Sequence, residues 1–179
     1  MRVLIRFLSL SMLILAVGYL LLPTPPFPLK PPDSVQSLED ADTETPLRRA
    51  YFTNFTREQV IDHYRRQLAE SKFLGIPIPA YRLNYPPEDA FMLIRNQTRS
   101  TFLEEIVNPL RESLYVNGFE PKVAKDAISY KGVRYERKIT IKYAPSSALV
   151  RIPIVLLAIS VFLILVRDLW VSARKILRN

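Results

Sequence analysis

The chain contains no cysteine, one histidine and only four glycines in 179 residues. Without cysteine there is no disulfide, no thiol catalysis, no cysteine-ligated zinc and no iron–sulfur chemistry. His63 has no second histidine with which to share a metal, and its helical position borders solvent. Four unclustered glycines leave no phosphate-cradling loop, and no nucleophile motif is present. We therefore expect no cofactor, no metal site and no enzymatic activity.

Charge of one sign is also scarce where the chain folds. The formal charge is +8, yet between Thr24 and Ser147 there are 18 basic and 16 acidic residues, a net of +2. The other seven basic residues and one acidic residue sit at the termini and the ends of apolar runs, a net of +6. A nucleic-acid footprint would cluster on the folded part, so no nucleic-acid partner is expected. Basic residues beside apolar runs suit anionic lipid instead.

Two apolar runs are what the chain does have. Phe7 to Leu22 follows Arg2 and Arg6, and Ile152 to Val166 is bracketed by Arg151 and Arg167. About 20 apolar residues in a helix cross a ~30 Å hydrocarbon core. Counting outward from Ala148 brings the second run to that length, with Arg151 snorkelling to the headgroups along its own stem. Arg167 marks the other interface and Trp170 stands where a belt aromatic would. Pro153 falls near the start of the run, where a missing N–H costs least. The first run continues through Tyr19 to Leu22 past its small residues Ala16 and Gly18, which favours an uncleaved anchor over a signal peptide.

Arg167, Arg174, Lys175 and Arg178 stand against Asp168 alone in the tail, whereas Lys30 faces five acids after the first run. That bias puts both termini in the cytoplasm and the middle of the chain outside the cell membrane. The boundaries expected are an anchor over 1–22, a linker over 23–47, an α+β domain over 48–145, a second transmembrane helix over 146–167 and a basic tail over 168–179.

Six prolines fall between Pro23 and Pro32, a composition that favours a polyproline II spacer. Asp33 to Thr45 is acidic, poor in large apolar residues, and reads as a flexible tether. A strand is expected over Arg49 to Thr53. Thr56 then caps a helix, with Gln59 completing a capping box and Phe55 and Val60 placed for a hydrophobic staple. Val60, Ile61, Tyr64 and Leu68 share one face of that helix, which runs to about Ser71. Phe73 to Pro79 reads as a loop, Tyr81 to Tyr85 as a second strand. Pro86-Pro87-Glu88-Asp89 opens a helix whose apolar face is Ala90 to Ile94.

From Ser100 to Val116 two readings stand. Leu103, Ile106, Val107, Leu110 and Leu114 fit a helix interrupted at Pro109. Alternatively Thr101 to Val107 is a strand, with Asn108 capping a short helix from Pro109. In both, Asn117-Gly118 stops a helix. Val133 to Tyr143 alternates as one half-buried antiparallel strand, turned back at Lys131-Gly132 onto Ala127 to Tyr130 as a β-hairpin. The expected domain thus holds an antiparallel hairpin and two to three helices, flanked by two transmembrane helices.

Few residues carry chemistry. Glu104 and Glu105 are adjacent carboxylates, explained most simply as charges on a helix surface. Arg137 lies on the apolar face of the last strand and wants a carboxylate, which Glu104 or Glu105 could supply as a structural ion pair. Asn54-Phe55-Thr56 and Asn96-Gln97-Thr98 match glycosylation acceptors. Two apolar helices flanking an external α/β domain, termini inside, resembles in topology the bacterial chain-length regulators of surface polysaccharide. This domain is much smaller, and no residue is carried over.

The reading reached is a two-pass membrane protein in the lipid bilayer of the cell envelope. It presents a small extracytoplasmic domain for partner binding or assembly with another envelope protein or with itself. The alternative is an envelope ligand sensor or membrane-bound hydrolase. A pocket with convergent polar groups would favour that alternative, and an exposed apolar patch the first reading.

Overall fold

The computed structural model describes every residue except Met1, Thr24, 70–71, 74–75, 78, 96, 110 and 177–179. In chain order the elements begin with α1 (Arg2–Leu20), β1 (Val35–Gln36), β2 (Arg48–Thr53) and α2 (Arg57–Ala69). Next come β3 (Lys72–Phe73), β4 (Ile76–Pro77), β5 (Tyr81–Tyr85), α3 (Ala90–Ile94), β6 (Phe102–Asn108) and β7 (Glu112–Phe119). The last are β8 (Ile128–Tyr130), β9 (Val133–Tyr135), β10 (Arg137–Ala144) and α4 (Ala148–Ile176). They form two compact units, Met1–Thr24 with Ser146–Asn179, and Pro25–Pro145.

The first unit is a pair of apolar helices. Val3–Leu20 and Ala148–Arg174 are each long and apolar enough to cross a membrane. At ~1.5 Å per residue the 29 residues of α4 reach ~43 Å, so the helix continues well past Val166 and through Trp170. Pro153 lies inside it and is tolerated near the N-terminal end. Ala16 and Tyr19 of α1 and Val155 of α4 are buried.

The second unit is built on a six-stranded antiparallel sheet in the order β1-β2-β10-β7-β6-β5. This is a larger sheet than the expected hairpin. The region read as helix, or strand and helix, is the hairpin β6–β7, closed over 109–111 by Arg111 N–H donating to Asn108 O at 3.0 Å. Both of its faces are covered, so β6 is buried at all but one position and the alternation that marks a half-exposed strand is missing. Asn117-Gly118 stops no helix; it lies inside β7.

One face of the sheet carries α2. Tyr51, Phe102, Ile106, Leu114, Val116, Ile139, Ile141 and Tyr143 meet Val60, Ile61, Tyr64 and Leu68 there, with Phe55 packed at the margin. Each fully buried side chain of this size stabilises by about 1.5–3 kcal/mol. The helix starts where expected: Gln59 Oε1 accepts from Thr56 N–H at 2.8 Å, and Thr56 Oγ1 from Gln59 N–H at 3.3 Å. On the opposite face Ala90 and Ile94 of α3 cover Leu103. The hairpin β8–β9 places Ile128 and Tyr135 against Phe52. Lys131 and Gly132 take φ of 52° and 78° to turn it, the left-handed pair that a two-residue hairpin needs. The long strand expected over Val133 to Tyr143 is therefore two strands that break at Glu136.

The proline-rich segment is not a free spacer. Phe27 stacks edge-on against Tyr143 at 5.8 Å under the Arg49 guanidinium. Leu29 N–H donates to Gln67 Oε1 at 2.8 Å. Nor is Asp33 to Thr45 a tether. Val35 and Gln36 pair with Phe52 and Tyr51, Ser37 is buried, and Asp42 reaches Lys138 at 2.7 Å. Polyproline II and strand backbone share the broad extended region, so a long-range partner is what distinguishes a docked segment from a free one. Over Phe73 to Pro79, read as a loop, short β3 and β4 pair antiparallel; Gly75 lies outside the described residues, as do Leu110, Asn96 and Arg178.

Gly118 faces Phe102 across the β6–β7 ladder, and a Cβ there would overlap the ring. Gly118→Ala should lower stability by about 1–3 kcal/mol, read as a denaturant midpoint on the detergent-solubilised protein. In a Phe102→Leu background the alanine should cost much less. Equal cost in both backgrounds would mean the ring is not what glycine makes room for.

Candidate functional site

The densest polar arrangement lies where the first turn of α2 crosses β6 and β5. Glu104 points to the α2 face of β6, and register places Asn84 opposite it and Arg82 opposite Ile106. The cap at Thr56 sets Arg57 and Glu58 in the first turn, above that same corner. Arg57 Nε donates to Glu104 Oε1 at 2.5 Å and its Nη2 to Asn84 Oδ1 at 2.9 Å. Arg82 donates to Glu104 Oε1 at 2.8 Å and also, through Nε, to Oε2. It then forks onto Glu58 at 2.7 and 3.0 Å. Arg82 holds the Glu58 carboxyl below the usual carboxylate range.

The Glu104 side chain is wholly buried, whereas those of Arg57 and Arg82 keep 37% and 33% exposure. Both carboxylate oxygens already accept guanidinium hydrogens, so the group serves as a clamp. It ties the edge strand and the helix to the middle of the sheet. Glu105, one residue on, points to the other face, as strand geometry demands, and accepts from Tyr85 Oη at 2.7 Å. The two glutamates therefore cannot act together on one substrate. That hydrogen bond, burial and the Glu105 charge push Tyr85 up to about 12; burial and then Glu105 raise Tyr115.

The expected pairing of Arg137 with Glu104 or Glu105 is not formed. Arg137 donates to Glu120 at 2.5 Å and to Phe55 O at 3.0 Å. Register explains it: Glu104 pairs with Val116, and Val116 with Ile141. Arg137 lies four residues along β10 from Ile141, so ~14 Å along the sheet and ~10 Å across it separate the two.

Of the interface residues, Arg167 is exposed and pairs with Asp168 at 3.1 Å, and Arg174 lies over the Trp170 ring at 4.8 Å. Arg151 is the largest wholly buried side chain among the described residues. It donates to Ser146 Oγ at 2.9 Å, Ser146 O at 2.5 Å, Pro23 O at 3.4 Å and also to Leu22 O. The Tyr19 ring lies 5.9 Å away.

His63 Nε2 sits 3.1 Å from Leu29 O and 2.7 Å from Gln67 Nε2, so it helps seat the proline-rich segment. Among the described residues no three His, Asp or Glu side chains converge as a metal set. Beneath that segment lies a cleft of about 440 Å³ lined mainly by apolar groups, among them Phe27, Leu29, Leu68 and Tyr143, with Glu112 at one side. Comparison with protein-family models, curated proteins and solved structures finds no match to this chain.

The remaining feature is an open edge. Among the described residues no strand lies beyond β5, whose residues are exposed from Tyr81 to Asn84. Tyr81 and Leu83 are 55% and 44% exposed, and Phe91 and Met92 on α3 are 60% and 82% exposed. An open strand edge carrying exposed apolar side chains is a template for pairing with another chain. Sequence reasoning missed Arg57, Arg82 and Glu58. The available signal was Arg82 as the one charge in a strand bounded by two tyrosines.

Removing both Arg57 and Arg82 leaves a buried, uncompensated charge, whereas Glu104→Gln leaves two arginines that keep water contact. The Arg57→Gln/Arg82→Gln protein should lose about 3–5 kcal/mol, clearly more than Glu104→Gln, in urea denaturation at pH 7. A larger loss for Glu104→Gln would contradict the clamp.

Tyr85 supplies a test in pH. Its unfolded value is ~10 and its folded value about 12. Its contribution is thus complete below pH ~10 and lost as pH rises through the folded value. The stability advantage of the natural protein over Tyr85→Phe should hold up to pH ~10 and shrink as pH rises from there toward about 12. An advantage that stays constant would refute the Tyr85–Glu105 bond.

Proposed function

We propose that this chain is a two-pass protein of the cell membrane, with both termini cytoplasmic and its α+β domain outside. The domain has no catalysis of its own and serves assembly with a partner in the envelope. Long apolar helices at both ends support the anchoring. The basic residues from Arg167 to Arg178, against the acidic stretch after α1, support the orientation. The observation that carries the assembly reading is the exposed apolar edge of β5 with Phe91 and Met92 beside it in sequence. The buried carboxylates support the non-catalytic reading, since both oxygens of Glu104 are held by arginines and Glu105 accepts from Tyr85 on the other face of the sheet.

The absence of cysteine makes the test direct. In intact cells Ser129→Cys, on the exposed side of β8, should react with an impermeant maleimide, and Ser172→Cys only after permeabilisation. Photo-crosslinkers should yield adducts of discrete mass at Leu83 and none at Val133, an equally exposed apolar position on β9. Labelling of Ser172→Cys in intact cells would overturn the orientation, and identical adduct patterns at the two positions would overturn the interface.

A further inference from the structure

Resting on that assembly reading, we infer that the partner at β5 is a second copy of this chain, paired edge to edge through the same strand. The two edges of the sheet differ. β1 is two residues long, a blunted edge. β5 is five residues of regular strand with no proline, lysine or bulge within it, so the usual protections against edge pairing are missing. Its one charge, Arg82, is neutralised within its own subunit by Glu58 and Glu104.

The strand reads Tyr-Arg-Leu-Asn-Tyr and is complementary to itself. An antiparallel two-fold centred on Leu83 sets Leu83 against Leu83, each Tyr81 against Tyr85, and each Arg82 against Asn84. Aromatic and apolar pairs fall on one face and polar pairs on the other. No like charges stand opposite, which is the pattern of a favourable ladder. A self-complementary patch of this kind closes into a two-fold dimer.

The flanking prolines select this register. Pro79 precedes the strand and Pro86-Pro87 follow it. With Leu83 at the centre, all five residues pair without a proline opposite any of them. A slip of two residues in either direction brings a proline into the ladder, where it cannot donate. A slip of one moves the apolar residues to the polar face. The charge count also allows close approach: Arg57 and Arg82 balance Glu58 and Glu104, so each edge arrives neutral. Two copies joined this way share one antiparallel sheet of twelve strands. The Glu104 clamp holds each edge rigid before they meet, which lowers the ordering cost of association.

The test uses the full-length chain in native membranes under mild oxidation. Facing Cβ atoms in such a ladder lie ~4.5–5.5 Å apart, close to disulfide reach. Leu83→Cys should form a covalent dimer, Tyr81→Cys alone should form little, and Tyr81→Cys mixed with Tyr85→Cys should form a mixed dimer. In nanodiscs, single-molecule photobleaching should show two copies for the natural chain and one for Leu83→Lys, with an unchanged circular-dichroism melt. One copy for the natural chain together with no Leu83→Cys dimer would overturn the inference. If Leu83 photo-crosslinks to a different protein while the chain stays single, the assembly reading survives and the second copy does not. If neither dimer nor foreign adduct forms, both fall.

Discussion

A buried guanidinium holds the two ends of this chain together. Backbone carbonyls just beyond a helix have no intrahelical partner, and in an apolar setting each unpaired one is costly. Arg151, one turn into α4, donates to the carbonyls of Leu22 and Pro23 just past the end of α1, and to Ser146 at the start of its own helix. One side chain thus meets two needs at once: the loose end of α1 gains donors, and the buried charge gains acceptors. The domain repeats the arrangement with different chemistry. Phe27 and Tyr143 stack where the chain enters and leaves it, and Tyr143 Oη reaches Pro25 O at 3.4 Å. Entry and exit adjoin in each unit taken separately.

Within the domain, β10 is the strand on which closure depends. It joins β2, from the first half of the fold, to β7, from the second, and supplies Ile139, Ile141 and Tyr143 to the core under α2. From there the sheet grows outward to β5, which has a neighbour on one side only. Edge strands fray unless something holds them, and the Arg57–Glu104–Arg82 cluster does so by tying β5 to the capped end of α2. The wholly buried Glu104 carboxylate and the open edge of β5 are therefore parts of one device. The clamp keeps the edge in strand conformation, ready to be paired.

Local signals were legible in the sequence. Thr56 and Gln59 announce a reciprocal cap, Lys131-Gly132 a tight hairpin, and the two apolar runs their helices. What stayed hidden depended on a distant partner. Leu103 and Ile106 fit a helix as well as the strand over Thr101 to Val107 that β6 proves to be, because β6 is covered on both faces and lacks the alternation that betrays a strand. Pro25 to Gln36 read as spacer because an extended chain looks the same free or docked; Gln67 and Tyr51 decide it. Arg137 was correctly seen to need a carboxylate, but sheet register gave it Glu120. Arg151 reads as a boundary residue; Ser146 is a local partner, but Leu22 and Pro23 lie more than a hundred residues earlier, beyond any local pattern.

The most direct test of this organisation is the distance between the helix ends that Arg151 joins. Leu21 and Leu149 are exposed on either side of that junction, and a chain without cysteine accepts spin labels at those two places alone. In nanodiscs the Leu21→Cys/Leu149→Cys protein should give one short, narrow distance that lengthens and broadens when Arg151→Gln is added. A long, broad distribution with Arg151 in place, or a short one indifferent to its loss, would contradict the account.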